Sequence, residues 1–208
     1  MDITANYIEI LAEKVLAKAE VTAPAVETDR IAEFVCDLVF DWINLDKLSR
    51  EGEVLAAISV RDKKIYMNES KKYELKRNPG RMNFTVAHEL GHWFLHKDSA
   101  QEKLAGFEGS VLICRSVDRP INDKERQANL FATYLLMPKK FIVEELNSMR
   151  TYLKENDLRQ MANKFRVSKQ AMEIRLVKEL KLLYAANGRY YKSELAALEA
   201  RGQQSLFS

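Results

Sequence analysis

A chain of 208 residues, 47% hydrophobic and 30% charged, carries enough apolar material for one sizeable core and a small appendage, which excludes a disordered polymer. Its formal net charge of +3 is too mild to imply nucleic acid by itself. The two cysteines, Cys36 and Cys114, lie far apart at no metal or redox spacing, which predicts a reducing compartment and two small buried hydrophobes.

The opening MDITANYIEILAEKVL mixes acids with apolar residues and lacks the basic-then-apolar order of a signal peptide. No run approaches the ~18 apolar residues of a membrane span. The expectation is a soluble cytoplasmic protein without membrane contact. Ile8, Leu11, Val15 and Leu16 predict a first helix, closed by VTAPAVETD with its proline and Thr-Asp cap. From Ile31, the apolar positions Phe34, Val35, Leu38, Val39, Trp42 and Ile43 fit a core-facing helical stripe. VLAAISV and KKIYMN then read as two strands of a hairpin about Arg61-Asp62, and KKYELKRNPGR as a basic, solvated loop.

MNFTVAHELGHWFLH predicts one helix of about four turns. GSVLICRSV reads as a further strand, either plain core sheet or an edge able to pair with extended peptide. NDKERQANLFATYLLM predicts a helix capped by Asn122 or Asp123, and Pro138 ends it or begins the next. After Met149 the composition shifts. DLRQMANKFRVSKQAMEIRLVKELKLL holds two short helical patterns around a joint at 165–168, and the end reads as a weak helix and a frayed tail. The expected organisation is a larger domain over 1–149, a helix-turn-helix-like subdomain over 150–184 and a tail over 185–208.

All three histidines of the chain fall between His88 and His96. His88 and His92, spaced i, i+4 on a helix, present both imidazoles on one face, with Glu89 beside them. This is the H-E-x-x-H arrangement, in which two histidines hold zinc and the glutamate acts as base toward water. A glutamate buried there is costly unless a metal compensates it. Gly91, mid-helix at a cost of about 1 kcal/mol relative to alanine, implies a close backbone approach.

His96 lies about 12 Å along the helix from His88, too far to share one ion, and suits a helix C-terminus or a supporting position behind the ligands. The third ligand must then be a carboxylate or cysteine. Glu125 leads, on one face with Ala128, Asn129, Ala132 and Leu136. The small alanines would let the two helices approach, and Asn129 could orient a ligating histidine. Asp98, Glu102, Glu108, Asp118 and Asp123 are weaker candidates.

FTVAHELGHWFLH followed by ERQANLFATYLLMP resembles the ImmA/IrrE metallopeptidases, over roughly Ala25 to Ser168. The resemblance implies an α+β, zincin-like core, a small sheet packed on helices. It implies His88, His92 and Glu125 as metal ligands and Glu89 as catalytic base. It also implies a protein substrate, usually an Xre-type helix-turn-helix repressor, whose cleavage derepresses stress, mobile-element or prophage genes. Asn129 stands where more distant zincins carry aspartate. Zinc is the expected ion, and manganese or iron could occupy the same donors.

The pair of helices after Asp157 has helix-turn-helix spacing, with Arg166 where glycine is usual. From Asp157 to Lys192 nine Lys/Arg face three Asp/Glu, a local +6 that suits phosphates. A helical subdomain packed on the peptidase is the favoured reading here, and direct DNA binding the alternative. A DNA-binding regulator with a structural or sensory metal site is the rival function, though such a site has no use for Glu89.

Overall fold

The computed structural model describes residues 3–48, 53–97, 102–103, 110–116 and 123–202. The chain forms an α+β fold in two compact units, one of residues 1–22 and 26–136, the other of 23–25 and 137–208. In the first, α1 (Ala5–Lys18) buries Ile8, Ala12, Val15 and Leu16, the predicted stripe but for Ala12 in place of Leu11. Thr4 caps it by accepting from the Tyr7 amide.

The segment after it departs from expectation. A short turn α2 (Thr28–Arg30) runs into a π-helical turn, Ile31–Val35, and the chain then leaves as a strand, β1 (Val39–Ile43). Asp37 takes a positive φ of 57° between them. Val-Phe-Asp-Trp-Ile is rich in β-branched and aromatic residues, which suit a strand better than a helix. Two stripe positions consequently face solvent: Phe34 is 78% exposed and Val39 59%.

A five-stranded sheet runs in the order β1-β3-β2-β5-β4. It comprises β1, β2 (Glu53–Ser59), β3 (Lys64–Asn68), β4 (Glu102–Lys103) and β5 (Ser110–Ser116). The expected β2–β3 hairpin is present, antiparallel, with Ser59 opposite Lys64. β1 joins β3 in parallel. β2 is buried at every residue from Val54 to Ser59, as a central strand covered on both faces should be. VLIC lies in β5 between β2 and β4, but β4 covers only Ser110 and Val111.

The expected loop at 71–81 is largely helical. A 3-10 turn, Glu69–Lys71, leads into α3 (Lys72–Arg77). Asn78 caps α4 (Pro79–His96), which starts three residues before the sequence suggests. Proline at the first helical turn needs no N–H partner there and is preset for helical φ. Asn83 braces α4 against the turn before β1: its side-chain oxygen accepts from the Thr28 hydroxyl at 2.6 Å and its nitrogen donates to the Val26 carbonyl at 3.0 Å. α5 (Asp123–Leu136) packs against both α4 and α1. Cys36 is buried as expected, its thiol pushed up to about 11 by that burial. Cys114 falls within β5.

In the second unit, α6 (Lys139–Ser148) opens after Pro138. Next come β6 (Tyr152–Lys154), α7 (Glu155–Lys164) and α8 (Lys169–Glu173), which continues as a π-helical stretch through Glu179. The α7–α8 joint closes despite the missing glycine. Arg166 adopts φ +53°, its amide donates to Asn163 and that of Val167 to Ala162, the bond pattern of a Schellman cap. Ser168 then caps α8.

The weak helix expected near the end is present, and a hairpin not expected from the sequence precedes it. β7 (Tyr184–Ala186) and β8 (Arg189–Tyr191) form a hairpin, β6 pairs with β8, and α9 (Glu194–Ala200) follows. Asn187 and Gly188, with φ of 49° and 69°, make its two-residue turn, a combination that favours hairpins.

Candidate metal centre

α4 carries the H-E-x-x-H residues on its buried side. His88 is 2% exposed, His92 and Glu89 0%, and His96 4%. Burial of four titratable side chains on one helix is tolerable only against a partner, and that partner is α5. A Cβ on Gly91 would stand 2.8 Å from the Ala128 Cα and 2.9 Å from its carbonyl oxygen. Glycine at 91 and alanine at 128 therefore set the distance between the two backbones. Phe94 and Phe131, with ring centroids 5.5 Å apart, pack the same interface.

That approach brings Glu125, in the first turn of α5, onto the histidines. Its Oε2 lies 3.1 Å from His88 Nε2 and its Oε1 3.3 Å from His92 Nε2. The two Nε2 atoms are themselves 3.0 Å apart. One ligand-type atom from each of His88, His92 and Glu125 falls within 4.8 Å of the others, a grouping that could hold a metal ion.

The protonation pattern suits the same use. Asn129, one turn beyond Glu125, sets its side-chain oxygen 2.9 Å from His88 Nδ1. A carbonyl oxygen only accepts, so Nδ1 carries a hydrogen, and Nε2 is the ring nitrogen that faces His92 and Glu125 and is placed to act as a ligand. Burial lowers the pKa of His92 below its ordinary value, which favours a neutral His92 ring. Burial pushes the Glu125 carboxyl up, but the closeness of the His88 and His92 rings outweighs it and holds the group at about 2. The carboxylate is thus ionised. Two imidazole nitrogens and a carboxylate are a donor set that fits a divalent cation such as zinc.

His96 does not join this group. Its Nε2 lies 3.2 Å from the carbonyl oxygen of Lys124, the residue preceding Glu125, and its ring stands 5.5 Å from that of His92. Burial, followed by the neighbouring His92, lowers its pKa to about 4. The link to Lys124 runs to a backbone carbonyl, a partner that no side-chain pattern announces. Among the weaker ligand candidates, Asp123 is exposed and pairs with Arg126 at 2.9 Å, and Glu102 belongs to β4. Asp98, Glu108 and Asp118 lie outside the described residues.

A search of known families finds that residues 74–177, half of the chain, match a peptidase family described as the IrrE N-terminal-like domain. The chain belongs to this IrrE-like peptidase family. The match begins in α3, runs through the whole His88–Glu125 constellation, and ends in the helix that continues α8. A curated relative is Metallopeptidase ImmA of Bacillus subtilis (strain 168), 29% identical over 165 residues, which span 78% of this chain and 82% of the relative. The mixed fold, with α4 packed beside a small sheet, is that of a zincin-like metallopeptidase core, and membership of the IrrE-like family makes the chain a peptidase. Among the described residues, no helix is long and apolar enough to cross a membrane.

Proposed function

We infer that this IrrE-like peptidase is a zinc-dependent endopeptidase of the cytoplasm. The observation that carries the reading is the convergence of His88, His92 and Glu125 within 4.8 Å, with Glu89 buried on the same turn of α4. His88 and His92 would hold the ion through Nε2 and Glu125 through its carboxylate. Bound there, the ion supplies Lewis acidity toward water and the scissile carbonyl.

The remaining roles belong to protein groups. Glu89 takes the proton from the attacking water and returns it to the leaving amine. Asn129 keeps the hydrogen of His88 on Nδ1 and holds the ring in place. His96 fixes the backbone at Lys124 and so the start of the turn that presents Glu125. Among the described residues the site has three protein donors rather than four, which favours catalysis over a purely structural site with closed coordination.

The proposed substrate is an Xre-type helix-turn-helix repressor, whose cleavage would derepress stress, mobile-element or prophage genes. Its support is the resemblance to the ImmA/IrrE peptidases. The test is incubation of the metal-loaded chain with the Xre-type repressor encoded nearest its gene, read by intact mass. A single, chelator-sensitive cut supports the reading. An intact repressor, with metal bound and a cleavable generic protein as positive control, assigns the peptidase another substrate.

A further inference from the structure

We propose that the second unit is a winged helix that binds duplex DNA, with α8 as the helix entering the major groove and the β7–β8 hairpin as the wing. The element order supplies the frame: α6, then β6, the α7–turn–α8 pair, and the hairpin whose second strand pairs back to β6. The hairpin is the part that the sequence conceals, and it turns a helix pair that could merely pack into a scaffold with a presented face.

That face is built for a polyanion. Along α8 and its continuation, Met172, Arg175 and Leu176 are buried, while Gln170, Ile174 and Lys178 recur every fourth residue and are exposed. Lys181 follows on the exposed chain, Arg166 is exposed at the turn before α8, and Arg189 is exposed beside the hairpin tip.

The acids nearby are occupied. Glu173 accepts from the Tyr190 hydroxyl at 3.0 Å, Glu155 pairs with Arg159 at 3.0 Å and Lys169 at 3.2 Å, and Glu179 pairs with Arg175 at 2.9 Å. Lys178, Lys181 and Arg166 make no ion pair among the described residues. Arg159, Lys164 and Lys169 are taken up by Glu155 and Glu145, which leaves Arg166, Lys178 and Lys181 to solvent and to a partner. Gln170 can pair with an adenine edge and Ile174 can meet a thymine methyl, while the cations contact phosphates.

The proposed face uses none of the residues of the metal centre. The experiment is fluorescence anisotropy of a labelled 30-base-pair mixed-sequence duplex titrated with the full chain at 50 and 200 mM KCl. Wild type and Glu89→Gln should bind alike, and affinity should fall steeply with salt as counterions are released. The double variant Lys178→Glu/Lys181→Glu should bind at least tenfold more weakly with an unchanged melting temperature, whereas Lys14→Glu on α1 should bind as wild type. Absence of binding at 50 mM KCl, or equal loss in the Lys14 variant, would overturn the proposal. So would DNA binding untouched by the double variant while repressor cleavage suffers, which would make the face a protein dock.

Discussion

The side-chain oxygen of Asn129 lies 2.9 Å from Nδ1 of His88, across the interface between α4 and α5. One contact thereby links the tautomer of a proposed ligand to the helix that also carries Glu125. Asn129→Ala should lower zinc affinity about 10–100-fold, the usual effect of removing a partner of a ligating histidine. Competition against a chromophoric chelator measures it. Unchanged affinity would remove Asn129 from the account.

Gly91 faces Ala128 at a distance no side chain tolerates. In an isolated helix Gly91→Ala would gain about 1 kcal/mol. Here the obstructing atoms are backbone, so overpacking should dominate and the variant should lose roughly 1–3 kcal/mol. Urea denaturation gives the sign. A stabilised variant would mean that the α4–α5 contact is slacker than described.

These two helices were the most legible part of the sequence. His88, His92, Gly91, Glu125 and Ala128 all obey one period, and local spacing states which face each occupies. Elements decided by longer-range pairing were harder. Val39–Ile43 keeps an apolar pattern that a helix would also satisfy, and only its parallel register with β3 makes it a strand. The β7–β8 hairpin is announced by Asn187-Gly188, but three-residue strands offer too little alternation to be recognised. The His96–Lys124 contact runs to a carbonyl oxygen and leaves no trace in residue type.

Arg166 occupies the left-handed region at the cap of α7, where glycine carries no steric penalty. Arg166→Gly should stabilise the second unit by roughly 0.5–1 kcal/mol. Chemical denaturation followed by far-ultraviolet circular dichroism would detect it. Destabilisation would show that the arginine side chain contributes more than its backbone conformation costs.

Glu53 receives Lys71 Nζ at 2.6 Å and Arg81 Nη2 at 2.7 Å. The Lys71 hydrogen bond is the leading cause that holds its carboxyl below the ordinary 4.5, against a smaller opposing effect of burial. A depressed folded-state pKa stabilises the fold above the unfolded value and loses that contribution as pH falls through the folded one. Wild type should therefore lose stability on acidification below about pH 4.5, and Glu53→Gln should lose less over that window. At neutral pH the variant should be weaker by no more than about 1 kcal/mol, because the pair is partly solvated. Parallel pH profiles of the urea midpoint would contradict this.

In the proposed mechanism two functions fall to neighbouring side chains, with His88, His92 and Glu125 holding the ion and Glu89 moving the proton. The most direct test measures bound metal by elemental analysis and repressor cleavage by intact mass on the same preparations of wild type, Glu89→Gln and Glu125→Gln. Glu89→Gln should keep one ion per chain and lose cleavage, while Glu125→Gln should lose both. A Glu89→Gln protein that still cleaves, or a Glu125→Gln protein that holds its ion as tightly as wild type, would contradict it.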